Sequence, residues 1–316
     1  MVKLWNVITD ALGSKERSAK VYASTLRRIH RLVYKKELDE NTTKTLAFLS
    51  TAKTLNFVKK IVNLTQKKNA ATAVIMGLKA TKAPEKKIEK FRKILMASDK
   101  AYQDFLTSGK RKRPYKNAEK TWAEVIELHK KVGKEIDARN LWSVGGQTTG
   151  AEYKILMAWI YFKFISTVAP RRLEYADTRL VTKAEYEASD KSVNYIVMAP
   201  RRWKWIIHKY KTVDRYGPAT LPVPGPLKAA LNKIKPVVQA KNAKGFIFLT
   251  SKFRPLTRSQ FSTFVKWCFK RYLGKPFTQN TVRSIKVSSV WSPTENPVKL
   301  AESMGHTVKT AVLHYI

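Results

Sequence analysis

The segment from Thr149 to Thr167 constrains the fold of this chain most strongly because it is very apolar. A helix that is hydrophobic all round is buried in a protein core or crosses a membrane. Its longest apolar run, Ile155 to Ile165, is interrupted by Lys163 and falls short of the roughly 20 residues that a membrane span needs. We therefore predict that this segment is the central core helix of a globular domain.

A region rich in strand signals follows this helix. Three short runs, at 195–198, 203–207 and 219–223, predict a small antiparallel sheet, and Pro222 indicates that the third run is an edge strand. The intervening acidic residues Glu185, Glu187 and Asp190 lie in a polar segment that is predicted to be a loop. Helical patterns flank this region, at 118–132, 226–237, 258–272, 280–290 and 298–304.

The first hundred residues predict a bundle of four or five helices. Tyr22, Leu26, Ile29 and Val33 follow helical spacing, and basic residues lie off that stripe. Similar short patterns recur at 43–49, 55–64, 70–78 and 86–96. The fold class is therefore mainly α with a small antiparallel sheet. We expect a helical domain over residues 1–109, a basic linker over 110–116 and a second domain over 117–316.

The net charge of +39, from 62 basic and 23 acidic residues, favours a polyanionic partner. Nucleic acid is the first candidate, an anionic membrane surface the second, and a ribosomal or halotolerant surface the third. The linker contains four consecutive basic residues, Lys110 to Arg113. This run could be a nuclear address, a strap across a DNA backbone or a solvated linker.

Several familiar site types are missing from the sequence. It has no glycine-rich phosphate-binding loop, the single Cys268 excludes a cysteine-based metal cluster, and the five histidines are scattered. We therefore expect neither a cofactor nor a metal site. An enzyme that acts on nucleic acid without a metal has to stabilise phosphate charge with its own cations.

Four short motifs in the second domain contain such cations. They are Ala169 to Tyr175 with Arg171 and Arg172, the segment 207–217 with Lys209 and Lys211, Asn280 to Lys286 with Arg283, and Gly305-His306 followed by Tyr315. Each motif alone is weak, because a basic residue in so basic a chain is often only solvated. Their order is more specific than any one of them.

In this order the motifs resemble the catalytic domain of the tyrosine recombinases, or phage-type integrases. The resemblance spans residues 169–315 and is closer to the branch in eukaryotic viruses and mobile elements. It implies a two-domain clamp around DNA, in which the first domain binds DNA and the second is catalytic. It also implies DNA recombination or integration through a 3′-phosphotyrosine intermediate.

The resemblance implies a role for each matched residue. A P-x-R-x-[DE]-Y alignment selects Arg172 as the first phosphate-binding arginine and is preferred, whereas an R-x-x-E alignment with Glu174 selects Arg171. Lys211 is the preferred catalytic lysine, with Lys209 as the alternative, in a β-hairpin. Arg283 is the second arginine. Asn280 stands where the family commonly has histidine; it can donate hydrogen bonds to phosphate but cannot act as a general base.

The final motif implies that Tyr315 is the nucleophile and that His306 hydrogen-bonds the same phosphate. The implied partners are double-stranded DNA and, on two DNA sites, a homo-tetramer; no membrane is expected. The implied location is intracellular, with viral or host DNA, either in the nucleus or in the cytoplasm. Two alternatives stay open: relaxation of DNA as in a type IB topoisomerase, and a catalytically idle DNA-binding descendant.

Overall fold

The computed structural model describes residues 4–13, 16–38, 43–107, 118–142, 147–211 and 213–290. The chain divides into two compact units, Met1–Lys112 and Arg113–Ile316. The described residues are mainly helical and contain one small sheet, which confirms the predicted class in outline. The predicted linker, residues 110–116, and the predicted helix at 298–304 lie outside the described residues.

The first unit is built from helices. They are α1 (Leu4–Leu12), α2 (Glu16–Tyr34), a 3-10 helix (Thr43–Ser50), α3 (Ala52–Lys60), α4 (Leu64–Ala80) and α5 (Glu85–Thr107). Helix α4 packs against α1, α2 and α5. Its small residues, among them Ala71, Ala73 and Gly77, are buried, and a methyl group added at Gly77 would lie 2.5 Å from Leu49 Cδ1. Small residues therefore allow the surrounding helices to approach α4 closely.

Two details of this unit differ from the sequence prediction. Helix α1 was not predicted from the sequence. The prediction of a single helix over 55–64 was wrong, because α3 ends at Lys60 and α4 begins at Leu64. Asn63 accounts for the break. Its side chain accepts a hydrogen bond from the backbone nitrogen of Gln66 at 3.0 Å, which is how an asparagine starts a new helix.

The second unit combines helices with the sheet. Its helices are α6 (Ala118–Ala138), α7 (Gly150–Thr167), α8 (Lys183–Glu187), α9 (Val213–Tyr216), α10 (Gly225–Lys241), α11 (Arg258–Leu273) and α12 (Gln279–Val290). Its strands are β1 (Thr178–Thr182), β2 (Asn194–Met198), β3 (Lys204–Ile207) and β4 (Ala219–Pro222).

Helix α7 is the core helix that its composition predicted. Ten of its 18 residues are buried, including Tyr153, Tyr161 and Phe164, and it packs against α6 and α10. Thr149 and Glu152 form a reciprocal capping box at its start. Such a cap satisfies backbone donors that the first helical turn leaves without partners. The prediction of a buried helix here is confirmed.

The sheet has the order β1-β2-β3-β4 and is mixed rather than antiparallel. Strands β2, β3 and β4 pair antiparallel, as predicted, but β1 pairs parallel with β2. Parallel neighbours need a crossover connection. The crossover contains α8, where a loop was predicted, and Glu185 caps that helix together with Thr182. The prediction of a purely antiparallel sheet was therefore wrong in this one pairing.

Side chains in β3 and just before it alternate as the sequence predicted. Trp203, Trp205 and Ile207 are buried and Lys204 is exposed. Strand β4, which contains Pro222, lies at the edge of the sheet. Among the described helices, none is both long and apolar enough to cross a membrane.

Candidate active site

Buried charge in the described residues is confined to one place in the second unit. The buried charged side chains there are Arg171, Glu174 and Arg283, which are 2%, 6% and 0% exposed. Burial of a charge is costly unless other groups stabilise it, so the position of such groups is tightly constrained. All three belong to motifs that the sequence had indicated. In the Arg171-Arg172 pair, however, the buried arginine is Arg171 and not the preferred Arg172.

Hydrogen bonds to both backbone groups of Arg171 fix its position just beyond α7. Its backbone nitrogen donates to the hydroxyl of Tyr175 at 2.9 Å. Its carbonyl accepts a hydrogen bond from Nε2 of Gln279 at 2.6 Å, and the hydroxyl of Tyr161 donates to Oε1 of the same glutamine. Residues from α7 and α12 thus hold the backbone that carries Arg171.

Arg283 lies one helical turn after Gln279 on α12. Residues four apart lie on the same face of a helix, so the face that binds the Arg171 backbone also carries Arg283. The pKa of Tyr175 is raised above its ordinary value, chiefly by burial. The hydrogen bond from the Arg171 backbone and the charges of Arg171 and Arg283 lower it, and the Glu174 carboxylate raises it. All three charges therefore act on one buried tyrosine.

The segment with the candidate lysines lies beside this cluster. Lys209 and Lys211 are exposed in the connection between β3 and β4. Between them, the ring of Tyr210 lies 5.7 Å from the guanidinium carbon of Arg171. The hydroxyl of Tyr210 donates to the carbonyl of Gly217 at 2.6 Å. The connection is thereby closed on itself and in contact with the buried arginine.

The remaining sequence candidates have different surroundings. Arg172, the preferred arginine of the first motif, is only partly buried, whereas its neighbour Arg171 is in the cluster. Asn280 is exposed at the start of α12. His306 and Tyr315 lie outside the described residues, as does the basic run from Lys110 to Arg113.

Two residues that contact the buried Arg171, Gln279 and Tyr210, were not predicted from the sequence. Gln279 is uncharged and precedes the motif residue Asn280, and Tyr210 lies between the two lysines that drew attention. A signal for Gln279 did exist, since a polar residue four positions before Arg283 is predicted to share its helix face. For Tyr210 we find no comparable signal, because its contact with Arg171 depends on the fold.

The described residues contain no group of three or more histidine, cysteine, aspartate or glutamate side chains that could hold a metal ion. The side chains of the motifs that could bind an anion are guanidinium, ammonium and amide donors. Guanidinium forks match the oxygens of a phosphate. Compared with known proteins, the sequence matches no family model, and no curated protein matches it.

Proposed function

We propose that this chain is a site-specific DNA recombinase of the tyrosine-recombinase type, which cuts and rejoins DNA strands through a 3′-phosphotyrosine intermediate. The observation that supports it most is that, among the described residues, the buried charged side chains are those of Arg171, Glu174 and Arg283. Two guanidinium groups from motifs 112 positions apart, beside a lysine-bearing connection, suit a site that binds a phosphate and stabilises its transition state.

In the proposed mechanism, Tyr315 attacks the scissile phosphorus and its oxygen replaces the 5′-oxygen of the DNA. A phenol loses its proton near a pKa of about 10, so the attack needs stabilisation of the developing negative charge. Arg171 and Arg283 bind the non-bridging oxygens and supply that stabilisation. We assign the first role to Arg171 rather than Arg172 because Arg171 is the arginine of the buried cluster.

Proton transfer completes the cleavage step. The phenolic proton of Tyr315 passes to solvent, and an ammonium proton of Lys211 passes to the departing 5′-oxygen. His306 and the amide of Asn280 hydrogen-bond the phosphate. The covalent link retains the energy of the phosphodiester, so a second 5′-hydroxyl can attack it and rejoin the strands. No step in this scheme requires a cofactor.

The partners of the proposed enzyme are double-stranded DNA and further copies of the chain. The net charge of +39 supports binding to a polyanion. A tetramer on two DNA sites follows from the proposed reaction, which exchanges strands between two duplexes. The helical first unit would also bind DNA, at an intracellular location that holds viral or host DNA.

A covalent trapping experiment tests this function without knowledge of the target site. The full chain is incubated with a pool of nicked duplexes whose sequence is randomised, and adducts that survive SDS are recovered and sequenced. We expect adducts that share a sequence, and their loss in Tyr315→Phe. Absence of any adduct with the unaltered chain contradicts the enzyme and leaves a DNA-binding descendant. Relaxation of plasmids regardless of sequence would favour a topoisomerase instead.

A further inference from the structure

Beyond Ile207, the sheet no longer supplies the backbone hydrogen bonds of the lysine-bearing connection. The pairing of β3 with β4 ends at Ile207 and Ala219, so Lys209 lies beyond the backbone pairing of these two strands. Backbone donors and acceptors at such a position need other partners. Both backbone groups of Lys209 form hydrogen bonds with side chains, the nitrogen with Asn194 and the carbonyl with Arg258.

Asn194 provides the first of these anchors. It is 0% exposed and begins β2. Its Oδ1 accepts a hydrogen bond from the backbone nitrogen of Lys209 at 2.8 Å, and its Nδ2 donates to the carbonyl of Glu174 at 2.7 Å. One buried amide therefore ties the start of the lysine-bearing connection to the segment that carries Arg171.

Arg258, the first residue of α11, provides the second anchor. Its Nη2 donates to the carbonyl of Lys209 at 2.8 Å, and its Nε donates to Oδ2 of Asp177 at 3.1 Å. The side chains of Arg258 and Asp177 are 32% and 20% exposed. Asp177 lies three residues after Glu174, so this anchor also joins the connection to the segment that carries Arg171.

We propose that Asn194 and Arg258 are positioning residues that hold Lys211 where it can protonate the departing 5′-oxygen. This inference rests on the proposed function. Two residues span at most about 7 Å of extended chain, so anchoring Lys209 confines Lys211 to a small region. The Tyr210 to Gly217 hydrogen bond closes the connection on its other side.

Losing an anchor should affect one requirement of cleavage, the proton that the departing 5′-oxygen needs. A displacement of about 1 Å in a reacting group can lower a rate by roughly 100-fold. Loss of the Arg258 anchor should therefore slow breakage of the bond between phosphorus and the 5′-oxygen. Because the Tyr315 oxygen bonds to phosphorus as the 5′-oxygen departs, the loss should disappear when the departing atom needs no proton.

A sulfur atom in place of the scissile 5′-oxygen separates these effects. A thiol has a pKa of about 8.5, so the sulfur leaves as a thiolate and needs no proton from Lys211. The experiment uses the full chain and duplexes selected by the trapping pool. It measures single-turnover cleavage at saturating protein on the oxygen and sulfur forms of the same duplex.

The test variant is Arg258→Met, which keeps an apolar stem over the surface but removes both hydrogen bonds. We expect at least about a tenfold loss of rate on the oxygen duplex and a rate within about threefold of the unaltered chain on the sulfur duplex, as for Lys211→Ala. Arg258→Lys, which keeps the charge, guards against a failure to fold and should show the same pattern. Arg254→Met, an exposed arginine nearby, loses one charge and should cleave both duplexes normally.

Two results would overturn the inference in different ways. If Arg258→Met and Arg258→Lys cleave the oxygen duplex normally, or are equally slow on both duplexes, Arg258 does not act through Lys211. The positioning role is then wrong, and the proposed function is unaffected. If the trapping pool yields no duplex that the unaltered chain cleaves, the proposed function fails as well.

Discussion

The side-chain amide of Gln279 donates a 2.6 Å hydrogen bond to the carbonyl of Arg171, 108 positions earlier in the chain. This contact joins the segment after α7 to the start of α12 and brings two sequence motifs together. Because the hydroxyl of Tyr161 donates to the same glutamine, the joint is anchored in the core helix. The geometry of the two arginines therefore depends on a neutral residue.

Replacing this glutamine tests how much the joint contributes to stability. Gln279→Met keeps the approximate shape but leaves the Arg171 carbonyl and the Tyr161 hydroxyl buried without that partner. We expect a loss of about 1–3 kcal/mol in the free energy of unfolding, measured by urea denaturation. Asn280→Ala, at the exposed neighbouring position, should change it by less than about 0.5 kcal/mol. Equal losses in the two variants would contradict the structural role of Gln279.

A pair of matched variants decides which arginine binds phosphate. Lysine keeps the charge but lacks the planar fork, so Arg171→Lys should lower single-turnover DNA cleavage by about 100-fold or more. Arg172→Lys should lower it by less than about threefold, because Arg172 is only partly buried. Thermal unfolding of both variants serves as the control for folding. The reverse order of defects would restore Arg172 to the role that the motif alignment had favoured.

Two glycines with the same backbone angle predict unequal effects of alanine. Gly245 and Gly274 both have φ of +74°, but a Cβ at Gly245 would lie 2.4 Å from the carbonyl oxygen of Leu180, whereas Gly274 has open space. Both variants should lose more than about 1 kcal/mol through the left-handed backbone. Gly245→Ala should lose more because it also clashes with backbone. Urea denaturation measures both, and indistinguishable losses would contradict the close approach of Gly245 to β1.

Stability should depend on pH through His208, directly after β3. Burial lowers the pKa of His208 below its ordinary 6.5, and the charge of Lys191 lowers it further. The unfolded chain therefore binds a proton more readily than the folded chain, so the contribution of His208 is complete above pH 6.5 and is lost as pH falls toward the folded pKa. The free energy of unfolding, measured between pH 5 and 8, should fall less steeply below pH 6.5 in His208→Gln. An unchanged slope would contradict this environment for the imidazole.

The predictable parts of the fold were those set by local pattern. The apolar composition of 149–167 predicted a core helix, and alternation over Trp203, Trp205 and Ile207 predicted the strand faces, since burial follows the helical and strand periods directly. Strand β1 and the crossover helix α8 were missed. Strand β1 pairs with β2, from which it is separated in sequence by α8. The polar segment between them was read as a loop, but Glu185 in it caps α8.

The candidate site was predictable by residue type but not by register. The sequence indicated the double arginine that follows Pro170. It did not show that Arg171 is the one buried in the core. Sequence spacing cannot resolve this choice, because it depends on the hydrogen bonds that Tyr175 and Gln279 make to the Arg171 backbone. Anchors such as Arg258 escape prediction for the same reason.

The most direct test of the central claim is to identify the residue that becomes linked to DNA. Adducts from the randomised duplex pool are digested with protease and nuclease, and the nucleotide-bearing peptide is sequenced by mass spectrometry. We predict a single peptide with a 3′-phosphate joined to Tyr315, and weaker adduct formation in Arg171→Lys and Arg283→Lys. Attachment to any other residue, or no attachment under conditions in which the chain binds DNA, would contradict the account.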